Sequence, residues 1–401
     1  MHTQGPESTR SSLKDLKRHN ERRVFGLLRV NPTMTRAALA SATGLSRSTI
    51  GNVIRSLEER GIVEEGEHTG ARHSLTGRPA VAVALVPGSG ATVGVAINRE
   101  RLKIGVADLR GTVLAEHDEA LVAGSDGETI LVLVADRVRA MITAAGTPRG
   151  RVIGLAIGIP GPVDDHGAVD ARSPSPRWAG VRVRETLSRL LDGLPVVPDN
   201  DANYGAVGEL HYGAGRDVAD LIYVSIGPGI GGGFVVGGQL RRGHSGYAGE
   251  VGHITAVEDG PRCTCGRLGC LSTVAASGAL LDAWARDRGE RLTVSGLLEL
   301  ADTGDPHAHA LLFEAGVHVG RVCGALVNAL DPARVVLGGE LGSRSQNLLH
   351  GVRHALERYA HPVLAGVDVV HAVLQDRAEV LGAVAAVLRD DELVSSVIVP
   401  S

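Results

Sequence analysis

Residues 252–270 read GHITAVEDGPRCTCGRLGC, which places three of the chain's four cysteines within eight positions of one another. Gly266 and Gly269 lie among these cysteines and permit sharp turns of the backbone. One histidine and three thiolates complete a tetrahedral zinc site with no position open for water, so such a site is structural. A chance cluster and a redox pair are the alternatives. We predict one structural Zn²⁺ per chain, bound by His253, Cys263, Cys265 and Cys270.

The chain on either side of this stretch repeats one order of strands and helices. The upstream copy is predicted to have three antiparallel strands, a helix and a buried strand, at residues 91–97, 101–108, 112–121, 128–146 and 152–159. The downstream copy has strand patterns at residues 221–226, 232–236 and 334–337. This order predicts a duplicated α/β lobe with a ligand cleft between the copies. Two unrelated α/β domains are the alternative.

Two further segments are candidates for the lining of that cleft. Residues 198–203, PDNDAN, follow a predicted buried strand at 194–197 and open a helix, a common place for a ligand-directed carboxylate. A capping cluster is the alternative, because Asn and Asp also cap helices. Residues 227–233, GPGIGGG, form a turn whose N–H groups could approach a phosphate, and a plain tight turn is the alternative. Cys323, in an apolar helical pattern, is expected to be a core thiol.

The composition excludes several classes of protein. The chain has 401 residues, 43% of them hydrophobic, and a net charge of −4, which suits two or three domains and argues against disorder. No apolar run reaches the roughly 18 residues of a membrane helix, and the Met1 end lacks the regions of a signal peptide. Four cysteines do not make a disulfide scaffold. The sequence therefore predicts a cytoplasmic protein that does not enter a membrane.

The charge is unevenly distributed along the chain. Residues 1–90 contain 13 Arg or Lys against 8 Asp or Glu, whereas the remainder contains 28 against 37. A basic head on an acidic body is the distribution expected when the head alone contacts a polyanion.

The basic head contains the pattern of a helix-turn-helix. Residues 1–11 are predicted to be a flexible tail, and residues 12–30 an amphipathic helix. Residues 35–55, TRAALASATGLSRSTIGNVIR, have the pattern of two short helices. Gly44 supplies the positive φ of the turn between them, and Ser46 is placed to cap the second helix.

In a helix-turn-helix the second helix enters the major groove and presents its N-terminal side chains to base edges. The candidates for base contacts are Ser46, Arg47, Ser48, Thr49, Asn52 and Arg55. Residues 61–65 and 76–80 have the pattern of a β-hairpin wing, with Arg72 and Arg78 near its tip. A three-helix protein-interaction module is the alternative. The spacing of small and apolar residues favours a DNA-binding domain over residues 12–85.

Taken together, these segments resemble the ROK family of repressors and sugar kinases, in its regulator branch with a winged helix-turn-helix. The resemblance extends from about Leu13 to Leu388. It rests on the turn around Gly44 and on GRP at 77–79, GIPGPV at 158–163, NDAN at 200–203, GEVGH at 249–253, CTCGRLGC at 263–270 and VLGG at 336–339. It implies an α/β body of two actin/hexokinase-like (ribonuclease-H-like) lobes with a sugar cleft between them, behind an N-terminal winged-helix domain. Homodimers or homotetramers are the assemblies it implies.

The resemblance also implies roles for particular residues. Residues 90–198 with 376–390 would form the first lobe, and residues 199–375 the second lobe with the zinc site. Sugar hydroxyls would be contacted by Gly161, Asn200, Asp201, Glu250 and His253. His253 would therefore bind both sugar and zinc. In kinase members the carboxylate matching Asp201 is the general base that deprotonates the attacking sugar hydroxyl.

The chain departs from the kinase members at both phosphate loops. Kinases carry an Asp-x-Gly-Gly-Thr-like loop after the first strand, whereas Asn98–Arg101 reads NRER, with neither Asp nor Gly. In the second loop Pro228 takes the usual Thr position, so a hydroxyl and an N–H donor are lost. Phosphoryl transfer depends almost wholly on positioning and charge stabilisation. We therefore predict no use of ATP and no enzymatic activity, with Asp201 a relic base.

A further departure concerns the ligand. Ser272 stands where sugar-binding members usually carry a Glu, which leaves the identity of the sugar open. The sequence predicts a sugar-responsive, DNA-binding transcriptional regulator, a repressor of carbohydrate uptake or catabolism genes. Its partners would be double-stranded operator DNA and a sugar or sugar derivative. The alternatives are a sugar kinase that also binds DNA and a regulator whose body docks a protein instead of a sugar.

Overall fold

The computed structural model describes residues 6–67 and 81–398. In these residues the chain forms fourteen α-helices and thirteen strands. The helices are α1 (Pro6–Val30), α2 (Arg36–Thr43), α3 (Arg47–Glu58), α4 (Gly127–Ala144), α5 (Val183–Leu190), α6 (Asp201–Tyr212), α7 (Ser272–Ala275), α8 (Ser277–Arg288), α9 (Val294–Asp302), α10 (Pro306–Leu330), α11 (Gly339–Gly342), α12 (Gln346–Tyr359), α13 (Ala378–Arg389) and α14 (Asp391–Ile398). The strands are β1 (Met34–Thr35), β2 (Val63–Glu67), β3 (Val81–Leu85), β4 (Ala91–Ile97), β5 (Arg101–Asp108), β6 (Val113–Ala120), β7 (Val152–Ile159), β8 (Val196–Asn200), β9 (Leu221–Ile226), β10 (Ile230–Val236), β11 (Gln239–Leu240), β12 (Arg334–Gly338) and β13 (Asp368–His371).

The head consists of α1 to α3 and a three-stranded sheet. α2 ends at Gly44, whose φ of +69° is in the left-handed region, and Ser46 caps α3 by accepting a hydrogen bond from the Thr49 N–H. Both features confirm the predicted helix-turn-helix. β3 pairs antiparallel with β2 on one side and with β1 on the other. The predicted wing tip, with Arg72 and Arg78, lies outside the described residues.

An apolar core shared by α1, α2, α3 and the β2–β3 hairpin holds the head together. Its fully buried side chains include Val24, Leu28, Leu39, Ile50, Ile54, Leu57 and Ile62. The carboxylate of Glu21 is also buried and accepts a hydrogen bond from Arg60 at 2.9 Å. This charged pair ties α1 to the end of α3.

The body contains two five-stranded sheets with the same strand order. The first sheet runs β6-β5-β4-β7-β8 and the second β11-β10-β9-β12-β13. In each sheet the first three strands along the chain pair antiparallel, and the last two join in parallel. The sequence prediction of a duplicated α/β lobe is confirmed, and the repeated order is that of the actin/hexokinase-like fold.

The core of the second lobe is built around α10 and α12. A Cβ on Gly316 would lie 2.1 Å from the carbonyl oxygen of Leu348, and one on Gly351 would lie 2.1 Å from that of Phe313, so the two helices cross in backbone contact. By length and composition α10 could cross a membrane, but half of its most apolar stretch is buried inside the lobe. Cys323 on this helix is buried, as predicted, and burial raises the pKa of its thiol to about 12.

A second helix crossing joins the two lobes. α6 packs against both α13 and β10, and α13 packs against β4 and β7. At the crossing of α6 and α13, a Cβ on Gly208 would lie 2.1 Å from the carbonyl oxygen of Ala378. One on Gly382 would lie 1.7 Å from the carbonyl oxygen of Tyr204. Only glycine at these two positions permits the approach.

The head packs directly on the first lobe. Arg29 of α1 donates a hydrogen bond to the carbonyl oxygen of Leu388 in α13, and Arg22 pairs with Asp391 of α14 at 3.4 Å. Arg151 of the body donates to the carbonyl oxygen of Arg60 at 3.3 Å. Several arginines therefore clamp the head to the body at the ends of helices, where carbonyl groups lack helical partners.

Several boundaries differ from the sequence predictions. α1 begins at Pro6, so residues 6–11 of the expected tail are helical; proline is tolerated in a first helical turn. The strand expected at 194–197 is β8, which extends to Asn200 because it pairs with β7 as far as Ile159. α14 follows the predicted end of the first lobe at residue 390 and packs on α1 and α13.

We predict that Gly382→Ala destabilises the protein by about 1–3 kcal/mol or more, because the added methyl group overpacks a crossing without space for it. The measurement is urea unfolding followed by circular dichroism. Gly278→Ala is the matched control, since Gly278 lies in α8 with nothing within 4 Å of its Cβ position. That substitution should stabilise by about 0.4–1 kcal/mol. Equal midpoints for Gly382→Ala and the wild type would show that α6 and α13 do not depend on this contact.

Candidate functional site

α3 presents a polar face to solvent. Arg47, Ser48, Asn52 and Arg55 are exposed on this face. The opposite face of the helix is buried in the head core and consists of Ile50, Val53, Ile54 and Leu57. Because only the apolar face of α3 is buried, its four polar side chains remain exposed. Side chains of these types can contact the edges of bases when a helix lies in a groove.

Ser46, another predicted base-contacting residue, caps the start of α3, and its Oγ lies 2.8 Å from Ser48 Oγ. Ser46 Oγ lies 3.1 Å from the backbone nitrogen of Thr49 and 2.8 Å from Thr49 Oγ1. Thr49 itself is half-buried. A hydroxyl that already satisfies the free N–H groups of a helix start has less capacity for a base. Sequence position alone does not distinguish these residues from their neighbours.

The four residues of the cysteine-rich stretch come together as predicted. Donor atoms of His253, Cys263, Cys265 and Cys270 all lie within 4.8 Å of one another. The Cys263 sulfur is 3.4 Å from His253 Nδ1, and the sulfurs of Cys265 and Cys270 are 3.6 Å apart. Tetrahedral zinc, with bonds of about 2.0–2.3 Å, requires donor separations of about 3.5–3.8 Å. These residues therefore fit one zinc ion.

The backbone of the loop imposes this spacing. Gly266 has a φ of +91° and Gly269 a φ of +64°, and a Cβ on Gly269 would lie 1.6 Å from the carbonyl oxygen of Val257. The Cys263 N–H donates to the carbonyl oxygen of Arg267 at 2.8 Å and closes a tight turn around Cys265. The turns follow from glycine conformations that other residues rarely adopt.

A cavity of about 900 Å³ lies between the two lobes. It is lined by all five residues predicted to contact a sugar, which are Gly161, Asn200, Asp201, Glu250 and His253. It is also lined by Ser272 and by the two degenerate phosphate-loop segments at 98–101 and 227–231. Small-molecule sites commonly have volumes of about 300–1,000 Å³, so the cleft has room for a ligand of sugar size or larger.

Asn200 is largely occupied by the protein itself. Its side-chain oxygen caps α6 by accepting from the Ala202 N–H at 2.9 Å, and its amide nitrogen donates to the carbonyl oxygen of Gly161 at 3.0 Å. One amide N–H remains for a ligand. Both sequence interpretations of this segment hold, because Asn200 is a helix cap that also lines the cleft.

Carboxyl groups dominate the floor of the cleft. Burial, together with the neighbouring carboxylates of Glu379 and Glu250, raises the pKa of Asp201 to about 7. Burial also raises the pKa of Glu379 to about 7 and raises that of Glu250 above its usual value. Lys103 faces Glu379 but pairs with Asp376. Hydroxyl donors of a bound sugar would stabilise the ionised form of these groups.

His253 links the cysteine cluster to the cleft. Its Nδ1 faces the Cys263 sulfur, whereas its Nε2 lies 3.9 Å from the carboxylate of Glu250. A metal-binding histidine commonly places its second ring nitrogen near a carboxylate, which fixes the tautomer. The ring therefore connects the metal ligands to the wall of the cavity.

The first degenerate phosphate loop is a closed turn. The Asn98 side chain accepts hydrogen bonds from the N–H groups of Glu100 at 2.9 Å and Arg101 at 2.8 Å. Backbone N–H groups that would point at a phosphate in a binding loop are thus used within the turn. The side-chain oxygen of Asn98 thus accepts hydrogen bonds of the kind that a bound anion would accept in such a loop.

The second degenerate loop adds a further obstacle to phosphate. Pro228 has no N–H, and the Gly227 N–H donates within the loop to the carbonyl oxygen of Gly229 at 3.0 Å. Glu340 lies across the cleft, and burial followed by the nearby charge of Glu100 raises its pKa. Two mutually repelling carboxyl groups would repel a nucleotide phosphate as well.

Sequence reasoning missed two residues that shape the cleft and its back wall. Glu379 is the only acidic residue of α13, AEVLGAVAAVLR, and a lone acid in an apolar helix was the available signal. Arg242 lies behind the cleft, where its Nε is 2.9 Å from Asp199, a carboxylate that is only 4% exposed. No local pattern connects Arg242 to Asp199, because the two lie on different elements far apart in the chain.

Comparisons with known proteins agree with this geometry. Residues 92–390 match a family model described as "ROK family", and residues 17–64 match "Winged helix-turn-helix DNA-binding". A xylose repressor of Caldicellulosiruptor bescii is 28% identical over 94% of this chain and 96% of its own length. A glucokinase of Streptomyces coelicolor is 31% identical, over 73% of this chain and 96% of its own. A crystal structure described as a ROK family transcriptional regulator, homolog of E. coli MLC protein, superposes with a TM-score of 0.81 at 25% identity. It covers 96% of this chain and 99% of its own.

We predict that protein purified without chelators contains one zinc ion per chain and that Cys263→Ser reduces this content to near zero. The variant should also have a lower melting temperature, because metal binding contributes to folding. The measurement is elemental analysis with thermal unfolding. Cys323→Ala, which removes a buried thiol remote from the cluster, is the control and should retain zinc. A zinc content near zero in the wild type would contradict the assignment.

Proposed function

The chain belongs to the ROK family, and we propose that it is a sugar-responsive, DNA-binding transcriptional regulator, a repressor of carbohydrate uptake or catabolism genes. The observation that carries this proposal is one chain with two sites: an exposed polar face on α3 of the head and a carboxyl-lined cleft in the body. The xylose repressor matches 94% of the chain, whereas the glucokinase matches 73% of it. The site of action would be the cytoplasm, where operator DNA is found.

Operator DNA would be bound by α3. Arg47, Ser48, Asn52 and Arg55 would contact base edges, with Ser46 and Thr49 fixing the start of the helix. Arg suits guanine and Asn suits adenine in bidentate contacts. Arg72 and Arg78 of the wing would add contacts to the DNA backbone. Two heads in a homodimer or homotetramer would read two half-sites, as helix-turn-helix dimers do.

The effector would be a sugar or sugar derivative in the interlobe cleft. Carboxylates accept the hydroxyl protons of sugars, and Asp201 and Glu250 face the cavity with raised pKa values that such donors would lower. His253 would contribute its Nε2 side, and zinc bound at its Nδ1 side would hold the ring in place. Structural zinc therefore supports the shape of the sugar site and supplies no chemistry of its own.

Binding of a sugar in the cleft would affect DNA binding through α6 and α13. Asp201 is the first residue of α6, and this helix crosses α13 at Gly208 and Gly382. The head in turn packs on the end of α13. A sugar that binds one arrangement of the lobes more tightly shifts the population toward it, by no more than its differential affinity. The head, held at the end of α13, would then take a different position in the dimer.

We propose that the chain does not act as a kinase, because both phosphate loops lack the groups that hold a nucleotide. Asp201 would be a relic of the general base of the family's kinases. A sugar kinase that also binds DNA is the second candidate. It is favoured by the 31% identity to a glucokinase and by the retained position of Asp201 at the start of α6.

We predict that Arg47→Ala or Asn52→Ala weakens operator binding by about 1–3 kcal/mol and reduces discrimination against random DNA, because each side chain would make a bidentate base contact. The measurement is fluorescence anisotropy with operator and scrambled duplexes at one salt concentration. Arg291→Ala, at an exposed arginine between α8 and α9, is the control. Unchanged discrimination in both head variants would mean that another element reads the sequence.

We predict that Asp201→Asn weakens sugar binding about ten- to a hundredfold, since a charged acceptor contributes about 1.5–3 kcal/mol. Affinity for operator DNA without sugar should not change. With a pKa near 7, the Asp201 carboxylate is lost as pH falls below 7, so wild-type sugar affinity should fall from pH 8 to pH 6. The pH dependence should become smaller in Asp201→Asn, in which Glu379 still titrates near pH 7.

A sugar panel screened by thermal shift, followed by calorimetry at pH 6, 7 and 8, makes these measurements. The same panel with ATP distinguishes the two candidate functions. Sugar-dependent ATP turnover that Asp201→Asn abolishes would establish the kinase and refute the argument from Asn98–Arg101 and Pro228. Absence of turnover, with sugar binding retained, is the result that the regulator predicts.

A further inference from the structure

A second cavity lies at the junction of head and body, separate from the interlobe cleft. It has a volume of about 580 Å³ and is lined by residues of α1 of the head, the middle and end of α6, β8, β11 with its neighbouring residues, the end of α13 and the first half of α14. Its apolar lining includes Phe25 of α1, Val207 and Leu210 of α6, and Leu240. The cavity is therefore large enough for a small molecule and has an apolar surface to pack against it.

Positively charged and imidazole groups converge on this cavity from three elements. Arg29 comes from α1, Arg389 from the end of α13, and His211 from the last turn of α6. Burial and the charge of Arg389 lower the pKa of Arg29, and burial lowers that of Arg389. Burial, then Arg389 and Arg29, lowers the pKa of His211 to about 4. The positive charge of each group disfavours protonation of the others, as is expected at an anion-binding site that holds no anion.

Two of the three acidic groups of the cavity form ion pairs with arginines that also line it. Asp391 pairs with Arg22 at 3.4 Å, and Asp199 pairs with Arg242 at 2.9 Å. Asp390 accepts hydrogen bonds from the N–H groups of Glu392 and Leu393 at the start of α14. Within residues 6–67 and 81–398, the ion pairs include none from Arg29 or Arg389 to a carboxylate. Arg29 donates to the Leu388 carbonyl oxygen, and its remaining N–H groups are available to a ligand.

We propose that this junction cavity binds a phosphorylated small molecule, with its phosphate between Arg29 and Arg389 and its remaining atoms on the apolar lining. Two arginines can donate pairs of N–H groups to one phosphate, which is the anion whose geometry suits them best. His211 would donate a further hydrogen bond. The cavity thus has a cationic end for phosphate and an apolar end for the carbon skeleton.

The position of the cavity gives such a ligand a regulatory role. A phosphate held by Arg29 and Arg389 would join α1 of the head to α13 of the body. α6 carries Asp201 at its first residue and His211 in its last turn, so one helix has an end in each cavity. A phosphorylated metabolite would therefore be a second effector that changes the position of the head, and it would bind at a site distinct from that of the sugar in the cleft.

The test uses the full chain, with glucose 6-phosphate and inorganic phosphate as probes and chloride at equal ionic strength as the reference. His211 is observed by NMR between pH 3 and 8, with its signal assigned by His211→Gln. Other charged or titratable groups that face this region are Arg22, Arg242, Asp199, Asp390, Asp391, Tyr204 and Tyr212. We expect each probe to raise the His211 pKa by about one unit or more, because an anion within about 4–6 Å favours the imidazolium.

Calorimetry with arginine variants provides the second measurement. Arg29→Gln and Arg389→Gln should each weaken glucose 6-phosphate binding at least tenfold, whereas Arg29→Lys should retain part of it and Arg291→Gln all of it. Sugar binding in the cleft, measured with an unphosphorylated sugar, should persist in all four variants. The measurement with the unphosphorylated sugar distinguishes failure of the junction site from failure of the proposed regulator function.

Three results would overturn the proposal. One is a His211 pKa that neither probe moves in the wild type, a measurement that does not depend on any variant folding. Another is a His211 shift produced by operator DNA but by neither small phosphate, which would make the cavity part of the DNA contact. Wild-type affinity for glucose 6-phosphate in both glutamine variants would place the phosphate elsewhere and would likewise refute the site.

Discussion

The backbone contact between α6 and α13 is the constraint on which the rest of the structure depends. Gly208 and Gly382 bring the two helices so close that any Cβ would enter a carbonyl oxygen of the partner helix. α13 lies under the first sheet, and α6 packs on the strand β10 of the second sheet, so this crossing holds the lobes together. Glycine has a conformational cost within a helix, and dense packing of the crossing offsets it.

Two functional elements lie at the ends of the helices that form this crossing. The N-terminus of α6 presents Asp201 to the cleft, and the end of α13 holds the head through Arg29. The cysteine-rich loop supports the opposite wall through His253, which faces both the metal ligands and Glu250. The cleft, the cysteine cluster and the head are thus connected through α6, α13 and one imidazole ring. Such elements transmit a change in lobe closure better than flexible loops would.

Much of this arrangement could be predicted from the sequence, because its strongest signals are local. The glycine turn at Gly44, the Ser46 cap and the cysteine spacing depend on residues close together in the chain, and each was located correctly. The duplicated lobe followed from the repeated order of strand and helix patterns along the chain. What could not be predicted depends on tertiary contact: the pairing of Asp199 with Arg242, the approach of Glu379 to Asp201, and the packing of α14 on α1.

The central claim is that the sugar cleft and the DNA-binding head are thermodynamically linked within one chain. Linkage is reciprocal, so the most direct measurement is the affinity for the most stabilising sugar of the panel, in the absence and presence of saturating operator DNA. We predict that operator DNA weakens sugar binding by the same factor by which sugar weakens operator binding, roughly 5–150-fold for a coupling of about 1–3 kcal/mol. Equal sugar affinities with and without operator DNA would contradict the account.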